Sequence, residues 1–219
     1  MTKGVDISHY QPNFDWEKAK KEGCTFAIAK IGEGTNMTDS CFSKHYTNAK
    51  KHGFNIGAYY MNKATTRAEA IAEGERCVKL LNGFELDMPV WYDVEYSKTL
   101  NLGKYKVSDI IDGFCSVLEA NGYYTGVYMS SSPANTLLTD DIKSKYDVWV
   151  AHYGVSKPSY TGQYGMWQYT NTNNTQDYDY AYKDYPEIIK NMKNTNLKTS
   201  GKQTVEVLIN GQSIFRKEF

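Results

Sequence analysis

The chain has no excess of charge of either sign, since 25 basic residues meet 25 acidic ones. It has no polybasic tract either, so no nucleic-acid surface is expected. Its longest apolar runs fall well short of the ~20 residues a membrane span requires, so no membrane insertion is expected. Cysteine is sparse and scattered, at Cys24, Cys41, Cys77 and Cys115. Without a Cys-x-x-Cys pair, neither a structural zinc site nor a disulfide framework is expected, and the thiols read as reduced and partly buried. His9, His45, His52 and His152 form no ligand cluster. His45 and His52 share a predicted helix, where they read as a solvated stripe rather than a metal site. At the start, Met1-Thr2-Lys3-Gly4-Val5-Asp6 reaches an acid before a signal-peptide core can form. Synthesis in the cytoplasm without an export signal is therefore expected.

What the chain does have is aromatic residues and a regular alternation of elements. Nineteen tyrosines and four tryptophans stand among 219 residues. Tyrosine joins an apolar face to a polar tip, which suits both a core and a sugar-binding platform. Strands are predicted over residues 4–8, 25–31, 55–60, 88–96, 124–129, 147–152 and 165–169, with a last one near 176–180. Helices are predicted over 14–21, 39–52, 66–81, 107–120 and 133–138, with a last one near 185–192. This order argues for βα units and a parallel sheet. Eight strands permit closure. An open doubly wound sheet would want a glycine-rich phosphate loop after the first strand, where Asp6-Ile7-Ser8-His9 stands instead. The connections after Ala151 and Thr170 are too short or too polar for full helices. The expected class is α/β: an irregular (β/α) barrel with eight strands and fewer helices, plus a short carboxyl-terminal β-hairpin tail.

One stretch organises the rest, Met88-Pro89-Val90-Trp91-Tyr92-Asp93-Val94-Glu95-Tyr96. Side chains two apart on a strand share a face, so Asp93 and Glu95 point one way and Tyr92, Val94 and Tyr96 the other. The α-carbons of the two acids would lie roughly 6.6 Å apart, from a rise of about 3.3 Å per residue. Two carboxyls so close at the end of a buried strand repel and lose water. One is expected to hold a proton while the other stays charged, the division of labour that breaks a glycosidic bond. In a barrel the site forms at the carboxyl ends of the strands. That gathers Asp6, Lys30, Tyr59, Asp93, Glu95, Tyr128, Asp177 and Asp179 at one mouth, a set better suited to a neutral or basic saccharide than to a phosphate.

Seven short motifs occur in order: Gly4-Val5-Asp6-Ile7-Ser8, Ala29-Lys30-Ile31-Gly32-Glu33-Gly34, Gly57-Ala58-Tyr59-Tyr60, Trp91-Tyr92-Asp93-Val94-Glu95, Gly126-Val127-Tyr128, Trp149-Val150-Ala151-His152-Tyr153 and Trp167-Gln168-Tyr169. Together they resemble glycoside hydrolase family 25, the lysozyme-type muramidases of phage endolysins and bacterial autolysins, from about residue 4 to residue 189. The resemblance implies a (β/α) barrel with fewer helices than strands. It implies cleavage of the β-1,4 bond from N-acetylmuramic acid to N-acetylglucosamine in bacterial peptidoglycan, with no metal or other cofactor. By position, Glu95 is similar to the proton donor, Asp93 to its partner acid and Asp6 to the amino-terminal acid of the site. The carboxyl-terminal acid falls on Asp177 or Asp179, and Asp177 aligns better because Asp179 stands where the family usually has Asn or a similar polar residue. Lys30, Tyr59, Tyr128, Trp167 and Asp179 are the substrate-binding candidates, the three rings for sugar stacking unless they are core. Asp93 either attacks the anomeric carbon or orients the substrate's own acetamido group, and the Asp-x-Glu spacing favours the second. A chitinase-like glycosidase and a non-catalytic wall-binding barrel are the rival readings.

The expected division is a catalytic barrel at 1–192, a linker at 193–202 and a hairpin at 203–219 turning on Asn210-Gly211. A lone hairpin is marginal in water. It is expected to begin a wall-binding domain, to lie on the barrel, or to self-associate through an exposed strand edge. A lysin made without an export signal would reach the wall by holin-mediated release.

Overall fold

The computed structural model describes residues 1–170, 176–199, 204–209 and 212–218. The elements run β1 (Thr2–Ile7), α1 (Trp16–Lys21), β2 (Cys24–Glu33), β3 (Met37–Thr38), α2 (Phe42–His52), β4 (Asn55–Met61), α3 (Arg67–Leu81), β5 (Val90–Asp93), α4 (Ser97–Leu100) and α5 (Lys104–Ala120). Then come β6 (Thr125–Ser130), α6 (Ser131–Leu137), α7 (Asp140–Lys145), β7 (Asp147–Ala151), β8 (Met166–Thr170), β9 (Asp177–Ala181), α8 (Tyr185–Thr199), β10 (Thr204–Ile209) and β11 (Gln212–Glu218). Local chemistry sets several boundaries. Asp15 caps α1 by accepting from the Lys18 amide at 2.9 Å. Thr66 and Glu69 form a reciprocal capping box at the start of α3. Gly53 ends α2 at a φ of 77°, a conformation that favours glycine.

The sheet order is β1-β9-β8-β7-β6-β5-β4-β2-β3, and β1 also pairs with β2, closing eight strands into a barrel with β3 outside it. β1, β2 and β4 to β8 are parallel. β9 is the exception, running antiparallel to both β8 and β1, which corrects the all-parallel expectation. Parallel neighbours need a crossover of a dozen residues or more, and the connection from Thr170 to Asp177 is too short for one. Between β7 and β8 no helix intervenes, so the second half is irregular, as the short connections predicted. β3 and the short helices α4 and α7 were not anticipated. α8 runs on to Thr199, through most of the stretch read as a linker. β10 and β11 pair antiparallel; their predicted Asn210-Gly211 turn lies outside the described residues.

Strand alternation divides the apolar residues into two sets. Val5, Ile7, Ala27, Ala29, Ile31, Tyr60, Tyr92, Val127 and Val150 face the helices. Phe26, Ile28, Trp91, Trp149, Met166 and Ala181 fill the lumen. Glycines make room for the rings. A Cβ at Gly126 would lie 2.6 Å from the Trp91 ring and 2.4 Å from the Asp147 carbonyl, and one at Gly4 would lie 2.4 Å from the Phe26 ring. Tyr185 of α8 meets Trp91 edge-on at 6.0 Å and donates to Asp147 Oδ2 at 2.8 Å. That helix closes the barrel at the end where β6, β7 and β8 begin. His45 is buried, with Nε2 3.0 Å from the Ser8 carbonyl, which corrects its reading as part of a solvated stripe.

Candidate active site

With the lower lumen filled by rings, the polar inward-facing residues collect at the other end, where the parallel strands finish. There a cavity of about 280 Å³ is lined by Asp6, Tyr59, Asp93, Glu95, Tyr128, Trp149, Tyr153, Gln168 and Asp177. Asp93 is the last residue of β5 and Glu95 lies just past it, so alternation carries both into the cavity while Tyr92 points outward to stack on Phe114 at 3.9 Å. Asp177 reaches the same mouth because β9 runs backwards. It is the first residue of β9 and pairs with Asp6 near the end of β1.

Gln168 ties the floor together. Its Nε2 donates to Asp6 Oδ2 at 2.8 Å, and its Oε1 accepts from Tyr128 at 2.8 Å and also from Tyr153. Asp93 is 7% exposed, and its Oδ1 has no donor among the described residues.

Crowding raises every acid here. Asp93 is pushed well above the usual carboxylate range by burial and then by Glu95, with the Lys30 ammonium opposing. Asp6 is raised by burial and by Asp177, against the Gln168 bond. Asp177 is pushed up to about 6 by loss of water. Glu95 stands open to solvent at the rim, yet protein on the barrel side strips enough water to raise it, with Asp177 adding to the effect. Both members of the Asp93–Glu95 pair are raised, and Asp93, which also feels the charge of Glu95, is the more deeply buried. Among the described residues no group of three or more His, Cys, Asp or Glu side chains is arranged to hold a metal ion.

Residues 5–178 match the family described as Glycosyl hydrolases family 25. The chain belongs to that family. It is 30% identical over 170 residues to the autolytic lysozyme of Clostridium acetobutylicum, covering 78% of this chain and 51% of that one. It is likewise 30% identical over 176 residues to lysozyme M1 of Streptomyces globisporus, covering 76% of this chain and 60% of that one. The chain thus matches about half the length of the first of these relatives and about three fifths of the second. Among solved structures, the CTP1L endolysin superposes with a TM-score of 0.77 at 29% identity, over 87% of this chain and 70% of its own. The bacterial lysozyme from Streptomyces coelicolor does so with a TM-score of 0.72 at 26% identity, over 89% and 98%.

Of the residues the family 25 resemblance singled out, the structure brings Asp6, Asp93, Glu95, Asp177, Tyr59 and Tyr128 into one cavity. It leaves three others off the lining. Trp167 faces outward, its indole N–H on the His152 carbonyl at 2.8 Å and its ring against Tyr169 and Tyr180; it is core, not a sugar platform. Lys30 is buried with Nζ 2.7 Å from Glu33 Oε2, and acts on the site through its charge on Asp93. Asp179 is fully buried beneath the floor, where Oδ1 accepts from Trp149 Nε1 at 2.9 Å. Gln168, Trp149 and Tyr153 went unassigned in the sequence. Strand parity could have found the first two, since outward Trp167 and Tyr169 force Gln168 inward, and outward Val148 and Val150 do the same for Trp149.

Proposed function

We propose that this chain is an N-acetylmuramidase that hydrolyses the β-1,4 bond from N-acetylmuramic acid to N-acetylglucosamine in peptidoglycan. One observation carries the reading: Asp93 and Glu95 open into a single cavity that also holds Asp6 and Asp177. Family membership and the likeness to two lysozymes support the substrate class.

Glu95, at the rim and inclined to hold its proton, protonates the departing glycosidic oxygen as positive charge grows on the anomeric carbon. A carboxyl held toward its neutral form is a poor nucleophile. Asp93 therefore serves better as the acceptor that orients the substrate's 2-acetamido N–H, leaving the acetamido oxygen to attack and close a five-membered ring. Water, deprotonated by the Glu95 carboxylate, then opens that ring and yields a muramic acid reducing end. Asp6 and Asp177 hold the acetamido group or the water. The likeness to the CTP1L endolysin supports a lysin, for which release through a holin is part of the proposal, and that to the C. acetobutylicum enzyme supports an autolysin.

Mass spectrometry of borohydride-reduced digests of purified peptidoglycan tests the proposal. Muramitol ends are expected. Glucosaminitol ends, or wall pelleting with no new reducing ends, would replace it with another glycosidase or with a binding barrel, and turnover of chitin alone would favour the chitinase-like reading.

A further inference from the structure

Asp179 is the acid that the proposed mechanism does not use, and its surroundings leave it little choice of ionisation state. It lies in the middle of β9 with 0% of its surface exposed. One oxygen has a donor, Trp149 Nε1 at 2.9 Å. The other has none among the described residues, and across the β1–β9 pair the inward-facing acid beside it is Asp6, two places along from Gly4, the register partner of Asp179. Two carboxylates cannot bond each other unless a proton lies between them. A buried, half-satisfied carboxylate facing a second one would carry both a desolvation cost and a repulsion.

Which oxygen holds the proton follows from the other partners. Asp6 already receives a hydrogen bond from Gln168 Nε2 at 2.8 Å and borders the cavity, so its charged form is the better served. Asp179 has one donor and no surface exposed to solvent. Burial first, and Asp6 second, push its carboxyl well above the usual range. The titratable groups around the pair are Asp177 on the same strand, Cys24 and Lys30 on β2, Tyr59 on β4, Asp93 and Glu95 at the end of β5, Tyr128 on β6 and Tyr153 past β7. The Lys30 ammonium among them is already engaged by Glu33.

We infer that Asp179 is a positioning residue that stays protonated at neutral pH and donates that proton as a hydrogen bond to Asp6, fixing the Asp6 carboxylate toward the cavity. It then does what an amide would do in the same place, accepting from Trp149 on one side and donating to Asp6 on the other.

The inference rests on the muramidase reading only for its kinetic arm. Asp179→Asn supplies the same acceptor and donor without a titrating proton, whereas Asp179→Ala supplies neither. Asp179→Asn is expected to keep kcat on purified peptidoglycan within about threefold of wild type near pH 6, and Asp179→Ala to lose tenfold or more in kcat with KM little changed. Infrared difference spectroscopy at pH 7 of wild type minus Asp179→Asn is expected to show the carbonyl stretch of one protonated carboxylic acid. This readout is independent of any activity, so it decides the matter even if peptidoglycan proves not to be the substrate. A difference spectrum showing only an ionised carboxylate, or an Asp179→Asn protein that is folded by circular dichroism yet as inactive as Asp179→Ala, would overturn the inference.

Discussion

Asp6 and Asp177 face each other across the antiparallel β1–β9 pair, bringing an acid from the first strand of the barrel and one from the last to the same rim. Both are raised, Asp177 to about 6. The folded protein therefore binds more protons than the unfolded chain, and stability falls as pH rises from about 4 through about 6. Acids lowered by partners, such as Asp112 at about 2 between Arg67 and Lys145, act the opposite way but only at lower pH. Melting temperature measured across this window should decline in wild type and decline less in Asp177→Asn. Equal slopes would mean that the carboxyl does not titrate there.

Glu95→Gln keeps the shape of the side chain and removes its acid. Because Glu95 is open to solvent at the rim, the melting temperature should stay within a degree or two. General acid catalysis contributes roughly 100- to 10,000-fold, so cell-wall clearing followed by turbidity should drop by at least the lower figure. Undiminished clearing would reassign the proton donor.

Tyr92 tests the outward face of the same strand. Its hydroxyl donates to Glu73 at 2.6 Å and accepts from Asn62 Nδ2 at 2.7 Å, all three being buried. Tyr92→Phe leaves both partners short of a bond, which costs about 1–3 kcal/mol. Chemical denaturation should show that loss with peptidoglycan turnover unchanged. A large fall in turnover would mean that the two faces of β5 are not independent.

Gly126→Ala probes the packed lower lumen. The added methyl would approach the Asp147 carbonyl at 2.4 Å and the Trp91 ring at 2.6 Å, closer than van der Waals contact allows. Overpacking of this kind costs about 1–3 kcal/mol, or more where backbone must move. A melting temperature equal to wild type would show that β6 and β7 part more readily than their pairing suggests.

Alternation made much of this legible. The eight barrel strands and the inward pair Asp93 and Glu95 follow from period-two patterning, because a strand with one face in the lumen must repeat every second residue. For Trp167 the residue type left stacking and core both open, and it is core because its neighbour Gln168 takes the inward position. The direction of β9 was implicit in a connection too short to cross the barrel. The reach of α8 was not legible. Asn and Thr after Met192 are weak helix formers, but a helix begun by buried Tyr185 and Ile189 gains one hydrogen bond for each residue added. Asp179 reads as a second candidate ligand until its depth is known, since nothing in its spacing separates the cavity surface from the layer beneath.

α8 packs under the barrel through Tyr185 and Ile189, and Lys193 reaches the Leu86 carbonyl at 3.2 Å. The plugged end of the cylinder thus lies opposite the four acids, so whatever approaches Asp93 and Glu95 has to come from the other mouth.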